Sequence, residues 1–495
     1  MTHAVLSARL AALELALERW CEHPRRLLAL LAALLLAQVG PWWYASPDSL
    51  TYLSVARSLA GGHGLLRLGS EQLGYPPGYP LLASPAFLIS GRPFLRLSLL
   101  QWALAVGLLL GVYRWLRARH CTAALLLTGT VMVNAALWLH YRRPLSELAF
   151  MAVMVWAANA WDMALAVPAP RRAVGWTVLG SVLSVLLCLI REVGGVLVTG
   201  FALATLVAAR RRRFSRTFAF AMIGIAALPA AVTVVGFAHY DVRAAARSAD
   251  QRGTHLDGFI NASPLFAGTA SPLVPLSEMV RVRVSEVGRL LVPGMLKSYG
   301  PPGRWLDVNM LVYLPLCALV LAGWWQLVRQ GPDVLALTLP FYLAIYLVWP
   351  FDGGLRYLLP LLPVLLLCGW LPLGPRLRRP RCALAAFLVA HLGVALGYWL
   401  ADDLPRIRQC HAQWDVAERL AAQVPARSAG LADGVPECIR LLLAYSVDRS
   451  VLEMPAAGLA QTNEPWIVAP AGAPSPAGFA ASAVTHPYQI FVRVD

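Results

Sequence analysis

The chain has 495 residues, of which 58% are hydrophobic and 14% are charged, and its formal net charge is +16. A soluble protein carries about 25% charged residues, so this composition excludes an ordinary water-soluble protein and indicates a multi-span membrane protein. The positive charge does not indicate nucleic-acid binding, because the arginines cluster in short connectors between apolar segments, a distribution typical of membrane topology signals.

The apolar segments are predicted to be helices that cross the membrane. Residues 4–20 come first and are predicted to form an amphipathic helix on the cytoplasmic surface, within an N-terminal segment 1–26. A helix needs about 20 apolar residues to cross a bilayer. About eleven such spans follow, near residues 27–44, 96–116, 122–139, 145–165, 173–190, 193–209, 217–238, 308–328, 333–350, 355–372 and 382–400.

The arginine-rich connectors predict the topology of these spans. When successive connectors are assigned to alternate sides, the clusters all fall on one side: Arg25/Arg26, Arg114/Arg117/Arg119, Arg171/Arg172, 210–213 with Arg216, Arg329, and Arg376/Arg378/Arg379/Arg381. By the positive-inside rule that side is the cytoplasm. Because the number of spans is odd, we expect a cytoplasmic N-terminus and an outside C-terminus, in the cytoplasmic (inner) membrane of a bacterium.

Three stretches are predicted to face outward from a transmembrane module of residues 27–400: a first loop 45–95, a large loop 239–305 and a tail 401–495. The tail differs from the spans in composition. A helical pattern from Trp414 to Ala422 is followed by the strand-like runs WIVAP and YQIFVRV. Together these patterns predict a small α/β domain.

Cys410 and Cys438 are the two cysteines of the tail. An oxidising exterior permits a disulfide between them, and two buried free thiols are the alternative. The remaining cysteines lie in or near spans and show no metal-site spacing.

The first loop holds the first candidate functional residue. Residues 48–60 have helical spacing, and the proline steps of GYPPGYP further on predict an extended return towards the membrane. Asp48 lies where the first span leaves the bilayer, and it has two compatible interpretations. It is a helix-start residue behind a capping Ser46 and a first-turn Pro47, or it is a base held at that helix start.

Four arginines lie at the predicted outward ends of spans, against the charge rule: Arg142, Arg143, Arg191 and Arg356. Charged groups near membrane depth are usually functional or paired, and a guanidinium group binds phosphate oxygens bidentately. The alternative for Arg191 is a local pair with Glu192 or a position at the membrane interface. The alternative for the neighbouring pair of arginines is an ion pair with Glu147.

The order of these elements resembles the GT-C superfamily of lipid-dependent glycosyltransferases, in particular its protein mannosyltransferase and aminoarabinose transferase group (glycosyltransferase family 39-like). The resemblance is carried by the spacing Asp48-x3-Tyr52-x3-Ala56-x2-Leu59 after the first span, by YPPGYPLL, and by RYLLPLLP from Arg356 onwards. It implies a polytopic α-helical membrane fold with amphipathic helices in the first outer loop and a small C-terminal outer domain.

The resemblance implies an inverting transfer of a sugar from a polyprenyl-phosphate donor to a hydroxyl or amine on the outer face. Asp48 would be the base, and Arg356, Arg191 and Arg143 would bind the donor phosphate. Further candidates for substrate contact are Tyr52, His63, Glu71, Tyr75, Glu147 and Tyr357. The implied partners are the lipid-linked donor, a lipid, glycan or protein acceptor, and membrane lipids, with no nucleic acid.

No redox cofactor is needed for this reaction. Many members of the group carry two adjacent acids at the first-loop position, whereas this chain has Asp48 followed by Ser49. A pair of neighbouring carboxylates that could bridge a divalent cation is therefore missing here, and Asp48 is expected to work alone. The sequence leaves open whether a divalent cation assists.

Two other functions compete with the enzyme. A transporter or lipid flippase for cell-envelope precursors would show inverted repeats and broken helices with ionisable groups at mid-membrane. The predicted spans are unbroken and the unusual charges lie towards one face, which favours an enzyme. A non-catalytic scaffold subunit is the second competitor, and it would not need a lone carboxylate and arginines at one face.

Overall fold

The computed structural model describes most of the chain, namely residues 3–41, 46–71, 75–90, 92–119, 123–211, 213–247, 273–293, 309–348, 354–424, 430–432, 435, 437–447, 451–453, 465–476, 479–485 and 487–493. The large loop 239–305 is therefore described only in part.

The described elements are mostly helical. In chain order the helices are α1 (His3–Glu22), α2 (Pro24–Leu36), α3 (Pro47–Ala60), α4 (Gly78–Ala83), α5 (Phe94–Arg117), α6 (Ala124–Met132), α7 (Ala135–Tyr141), α8 (Ser146–Ala166), α9 (Pro170–Ile190), α10 (Val196–Arg210), α11 (Arg216–Arg247), α12 (Leu273–Leu291), α13 (Met310–Gln330), α14 (Val334–Val348), α15 (Leu362–Leu373), α16 (Pro380–Tyr398), α17 (Leu404–Ala421) and α18 (Glu437–Val447). The strands are β1 (Leu66–Arg67), β2 (Ser70–Glu71), β3 (Gly430–Ala432), β4 (Val451–Glu453), β5 (Trp466–Pro470), β6 (Phe479–Thr485) and β7 (Tyr488–Arg493).

The prediction of a polytopic helical membrane protein is confirmed. Eight helical segments of the described chain are long and apolar enough to cross a membrane, and a ninth span results if the bent pair α6 and α7 counts as one. The other two predicted spans, 27–44 and 333–350, correspond to the shorter helices α2 and α14, of 13 and 15 residues.

The predicted span 122–139 is broken rather than continuous. Helices α6 and α7 meet at an angle of 53°. Asn134 lies at the break with an extended backbone, and its side-chain oxygen accepts the N–H of Ala136 at 3.0 Å. The break therefore arises because Asn134 caps a new helix, a local preference that a hydropathy profile does not register.

Helix α8 lies at the centre of the bundle and is buried on nearly every side. It packs against α5, α9, α10 and α14. Glu147 lies in its first turn and Asp162 in its last turns, so the rise of 1.5 Å per residue separates the two by about 22 Å. These two acids therefore mark opposite ends of the bundle.

The tail forms the predicted α/β domain. Its sheet has the strand order β4-β3-β5-β7-β6, parallel among the first three strands and antiparallel among the last three. The boundary that the sequence suggested at residue 401 lies inside a long helical segment, because α16 continues into α17 through one π-helical turn, Trp399–Asp403. No flexible linker separates the tail from the last span.

Helix α3 belongs to two cores at once. Leu50 and Leu53 share an apolar cluster with Trp414 of the tail, whereas Tyr52 belongs to the core of the membrane helices. Arg57 adds a hydrogen bond between α3 and the tail, since its Nη2 donates to the carbonyl of Tyr445 at 2.9 Å. The helix that begins at Pro47 is thus held from both sides, and the start of α3 is a rigid position.

Candidate active site

Asp48 is the second residue of α3, directly behind a reciprocal helix cap. Ser46 accepts the N–H of Ser49 at 3.3 Å, and the N–H of Ser46 donates to Ser49 Oγ at 2.9 Å. Pro47 occupies the first helical position, so the predicted helix start is confirmed. The cap also explains Ser49 itself, because this fully buried side chain completes the capping box.

Both carboxylate oxygens of Asp48 have partners. Oδ2 forms an ion pair with Arg356, and Oδ1 accepts a hydrogen bond from the hydroxyl of Tyr75 at 3.0 Å. Burial, followed by the charge of Asp48, raises the pKa of Tyr75 to about 12. Tyr75 therefore stays protonated across the physiological range and remains a donor to the carboxylate.

Arg356 lies in a single 3-10 turn, Gly354–Tyr357, just before a membrane helix. Its Nη2 donates to the hydroxyl of Tyr357 at 3.2 Å, and its Nε lies 3.6 Å from Glu147 Oε1. Burial acts to lower the pKa of Arg356, but the Glu147 and Asp48 carboxylates and the Tyr357 hydroxyl outweigh it and raise the pKa. Arg356 is a permanent cation.

Glu147 joins Arg356 to a second arginine. Arg191 Nη1 lies 3.3 Å from Glu147 Oε1, and the Arg191 guanidinium lies 4.7 Å from the ring centre of Tyr357. Only 2% of Glu147 is exposed, yet its Oε2 makes no hydrogen bond. Two carboxylates and two arginines thus form one charged chain, the Asp48 cluster: Asp48, Arg356, Glu147 and Arg191.

A cavity of about 460 Å³ adjoins this cluster. Its wall includes both arginines and several tyrosines, among them Tyr52, Tyr75, Tyr342, Tyr346 and Tyr357. Neither Asp48 nor Glu147 is among the described lining residues, so the carboxylates lie behind the guanidinium groups. The cavity wall presents two cations, aromatic rings and one carboxylate, that of Glu192, and its arginine side suits an anion that carries a polar ring.

Gly78 allows the GYPPGYP segment to approach this cavity. A Cβ at Gly78 would lie 2.6 Å from the carbonyl carbon and oxygen of Leu189, so only glycine fits where α4 meets the end of α9. The expected extended return is wrong from Gly78 onwards, where α4 begins. Pro76 and Pro77 come directly before this helix, and proline is compatible with a helix start.

The comparisons with known proteins bear on this arrangement. No family model matches the chain, and no curated protein matches it in sequence. Among solved structures it is similar to ArnT from Cupriavidus metallidurans bound to undecaprenyl phosphate, with 11% identity, a TM-score of 0.56, and 94% of this chain and 97% of that chain covered. It is also similar to the archaeal oligosaccharyltransferase AglB from Archaeoglobus fulgidus in complex with an inhibitory peptide and a dolichol-phosphate, with 15% identity, a TM-score of 0.53, and 91% and 69% covered.

Both of these proteins are GT-C superfamily glycosyltransferases. This chain has the GT-C fold. The resemblance seen in the sequence is thereby confirmed at the level of fold, over nearly the whole chain. At such low identities the likeness concerns the arrangement of the chain, and the roles of its residues rest on their own geometry.

Within the GT-C fold, the predicted site residues divide into two groups. The structure brings Asp48, Arg356, Arg191, Glu147, Tyr52, Tyr75 and Tyr357 together around the cavity. Tyr52 also forms a 3.2 Å hydrogen bond with Ser146 Oγ at the start of α8. The ion pairs of Glu147 are with Arg191 and Arg356, so Arg191 does not depend on its neighbour Glu192 for a carboxylate.

The residues of the second group lie away from the cavity, or their side chains are outside the described residues. His63 is exposed in the turn after α3, and the side chain of Glu71 is outside the described residues. Arg143 is not among the described cavity-lining residues, and its charge acts on His140 and Asp403. Arg142 donates to Gln38 at 3.1 Å and lies over the ring of Trp399. Neither arginine contributes to the Glu147 ion pairs.

The disulfide between Cys410 and Cys438 stays a prediction, and so does the absence of a metal site. Cys410 is buried in α17, but the side chain of Cys438 in α18 lies outside the described residues, so the disulfide is not tested. The described side chains include no group of three or more His, Cys, Asp or Glu that could hold a metal ion.

Sequence reasoning missed the tyrosines of α14 and the helix behind them. Tyr342 donates to the carbonyl of Tyr357 at 2.9 Å, and Tyr346 donates to Glu286 Oε2 at 2.6 Å. The only sequence signal was the spacing of two tyrosines four residues apart in an apolar span, which places them on one helix face. The partner of Tyr346 lies 60 positions away along the chain, and that of Tyr342 lies 15 positions away.

Proposed function

We propose that the protein transfers a sugar, with inversion, from a polyprenyl-phosphate donor to a hydroxyl or amine on the outer face of a bacterial inner membrane. Asp48 is the general base, and the N-terminus lies in the cytoplasm. The observation that carries the proposal is the ion pair between Asp48 and Arg356 beside a cavity that Arg191 and Arg356 line. Support comes from the fold, which ArnT with undecaprenyl phosphate and AglB with dolichol-phosphate share.

The two arginines suit the donor phosphate. Both guanidinium groups line the cavity, and each offers a planar fork of donors that matches phosphate oxygens. The donor is a phosphodiester, whereas the released lipid is a phosphate monoester with a charge of up to about −2. Arg191 and Arg356 therefore stabilise the charge that grows on the leaving group during the reaction.

The reaction is a single displacement. The acceptor oxygen or nitrogen attacks the anomeric carbon on the face opposite the phosphate, and the bond from that carbon to the phosphate oxygen breaks. The bonding electrons leave with the phosphate, and the proton of the acceptor moves to the Asp48 carboxylate. Asp48 becomes neutral by gaining the acceptor proton, and the departing phosphate gains one negative charge, so the total charge of the site is conserved.

Donor binding prepares the base. In the structure Arg356 holds one oxygen of Asp48 and Tyr75 holds the other. A phosphate competes with Asp48 for the Arg356 guanidinium, because both are oxyanions that accept its N–H groups. Once Arg356 turns to the phosphate, Oδ2 is available to the acceptor proton while the hydrogen bond from Tyr75 keeps the carboxylate oriented.

The transporter alternative gains no support from the bent pair α6 and α7. Asn134 at the break donates through Nδ2 to the carbonyl of Leu290 at 2.9 Å, and it caps α7 through its oxygen. Asn134 is not among the described lining residues of the cavity. The break is filled by protein groups and does not open onto the candidate site.

Asp48→Asn tests the proposal because it keeps the shape of the side chain and removes the base. We expect turnover of undecaprenyl-phosphate sugars by the protein in liposomes to fall by about 10²–10⁴-fold, while undecaprenyl phosphate still binds. Acceptors for the assay come from mass spectrometry of envelope glycans and lipids of cells with and without the protein. Asp415→Asn is the matched control, since this carboxylate of the tail is 64% exposed and pairs with Arg92 of the first loop. Turnover near that of the unmodified protein would exclude Asp48 as the base.

A further inference from the structure

Helix α12 buries a polar face, which is unusual for a helix from a predicted surface loop. Arg281, Ser285 and Glu286 are each less than a tenth exposed. Burial of such groups costs free energy unless they are paired, so a specific arrangement must compensate for it. The helix packs against the 3-10 turn Gly354–Tyr357 that carries Arg356. Its polar face is therefore directed towards the surroundings of the candidate active site.

Glu286 and its neighbour Arg283 hold one tyrosine of the cavity wall from two sides. Glu286 Oε2 accepts the hydroxyl of Tyr346 at 2.6 Å and the Nη1 of Arg283 at 2.8 Å. The Arg283 guanidinium lies 4.2 Å from the ring centre of Tyr346. Hydrogen bonding at the hydroxyl and stacking at the ring fix both the position and the rotation of this side chain.

The position of Tyr346 relative to the arginines indicates what it contacts. Its ring centre lies 6.4 Å from that of Tyr357, and the guanidinium groups of Arg191 and Arg356 lie against Tyr357. A phosphate bound by the two arginines therefore has Tyr346 one ring further along the cavity wall. An aromatic ring packs against an apolar ring face, and that is how a sugar presents its C–H groups.

We propose that Arg283 and Glu286 are positioning residues that hold Tyr346 against the sugar ring of the donor while Arg191 and Arg356 hold its phosphate. This inference rests on the proposed function and deepens it. Helix α12 must then be docked for the sugar end of the donor to be recognised, whereas recognition of the lipid phosphate does not require it. The large loop therefore contributes to the choice of sugar.

The test separates sugar recognition from phosphate recognition. Dissociation constants are measured for undecaprenyl phosphate alone and for undecaprenyl phosphate carrying mannose, glucose or 4-amino-4-deoxyarabinose. In Glu286→Gln and Tyr346→Phe we expect the affinity for the best sugar-bearing lipid to fall about tenfold, in line with the loss of one hydrogen bond to a charged group. Affinity for the bare lipid phosphate stays unchanged. In turnover, KM for the donor rises and kcat is retained.

The controls and contrary outcomes are distinct. Glu18→Gln breaks another arginine–glutamate pair, a more exposed one with Arg381 at 2.8 Å at the other end of the bundle, and leaves both affinities unchanged. A merely structural role for Glu286 predicts equal losses for both lipids, and that result overturns the inference. So does a sugar panel that binds the unmodified protein no better than the bare lipid. Failure of the unmodified protein to bind undecaprenyl phosphate at all overturns the proposed function itself.

Discussion

The two ends of helix α8 carry buried charges that are satisfied to different degrees. At the end opposite the cavity, Arg119 pairs with Asp162 at 2.6 Å and also with Asp333. The second oxygen of Asp162 accepts the N–H of Val334, and that of Asp333 accepts the N–H of Ala336. All four carboxylate oxygens of this Arg119 cluster (Arg119, Asp162 and Asp333) have a partner. In the Asp48 cluster, by contrast, Glu147 Oε2 has none and both arginines open onto a cavity.

This difference indicates what each cluster does. A closed set of charges with every oxygen bonded ties three elements together: the end of α5, the end of α8 and the start of α14. An open set with a buried oxygen left over and guanidinium groups facing a cavity is poised to exchange partners with a ligand. We therefore expect substitutions at the two ends to change different properties.

Arg119→Ala is expected to have the largest effect, and on stability. It leaves two buried carboxylates close together without a cation, and removal of one partner of a buried ion pair costs about 3–5 kcal/mol. A marked fall in the apparent Tm in detergent checks this, while the protein that remains folded binds undecaprenyl phosphate with unchanged affinity. Arg117→Ala is the control, since Arg117 is exposed and contacts Tyr113 within its own helix. A weaker lipid affinity at an unchanged Tm would contradict the contrast between the two ends.

Glu147→Gln is expected to have a smaller effect, and on binding. It removes the negative charge that lies between Arg191 and Arg356, so the cavity becomes more positive. One unit charge about 8 Å from the bound phosphate contributes roughly 2 kcal/mol at an effective dielectric constant near 20, or roughly 30-fold in affinity. Calorimetry at fixed salt should therefore show tighter binding of undecaprenyl phosphate, and steady-state turnover should slow at product release. Weaker binding would indicate that Glu147 contacts the ligand rather than balancing the arginines.

The smallest expected effect concerns pH and the docking of α1. Glu14 accepts the N–H groups of Cys382 at 2.8 Å and Arg381 at 3.0 Å, at the first turn of α16. Burial acts to raise the pKa of Glu14, but these hydrogen bonds outweigh it and lower the pKa. A lowered pKa stabilises the fold above the ordinary glutamate value, about 4.3. This contribution is lost as the pH falls below that value and through the lowered pKa.

Glu14→Gln separates this contribution from general acid effects. At pH 7 the variant is expected to lose about 1 kcal/mol, the usual worth of a helix cap. The difference in apparent Tm between variant and unmodified protein should disappear near pH 3. A difference that stays constant from pH 7 to pH 3 would show that the charge of Glu14 makes no contribution.

Much of the fold was predictable because its signals are local. Each long span is recognisable in the sequence as a run of about 20 apolar residues. The start of α3 is recognisable from the succession of Ser46, Pro47 and Asp48. Asn134 shows the limit of such signals. One polar residue in an apolar stretch was compatible with a continuous span, and the bend depends on its cap to α7 and its bond to Leu290.

The candidate site was predictable only as a list of residue types. Arginines at the wrong ends of spans stood out because they broke a charge rule, and Asp48 stood out by its place after a span. Their grouping did not follow, since Asp48 and Arg356 are 308 positions apart along the chain. Arg143 broke the same rule as Arg191, and the structure puts the two in different surroundings.

The sequence by itself determined that this is a membrane protein of many helices, with a capped carboxylate after the first span and an α/β tail. These properties depend on hydropathy, helix caps and strand alternation over 5 to 20 residues, which are short-range terms. Only the tertiary structure decided that Arg356, Glu147 and Arg191 form one chain of charges with Asp48. That pairing depends on which helices pack side by side, and packing order is set by the summed fit of many side chains across the whole bundle.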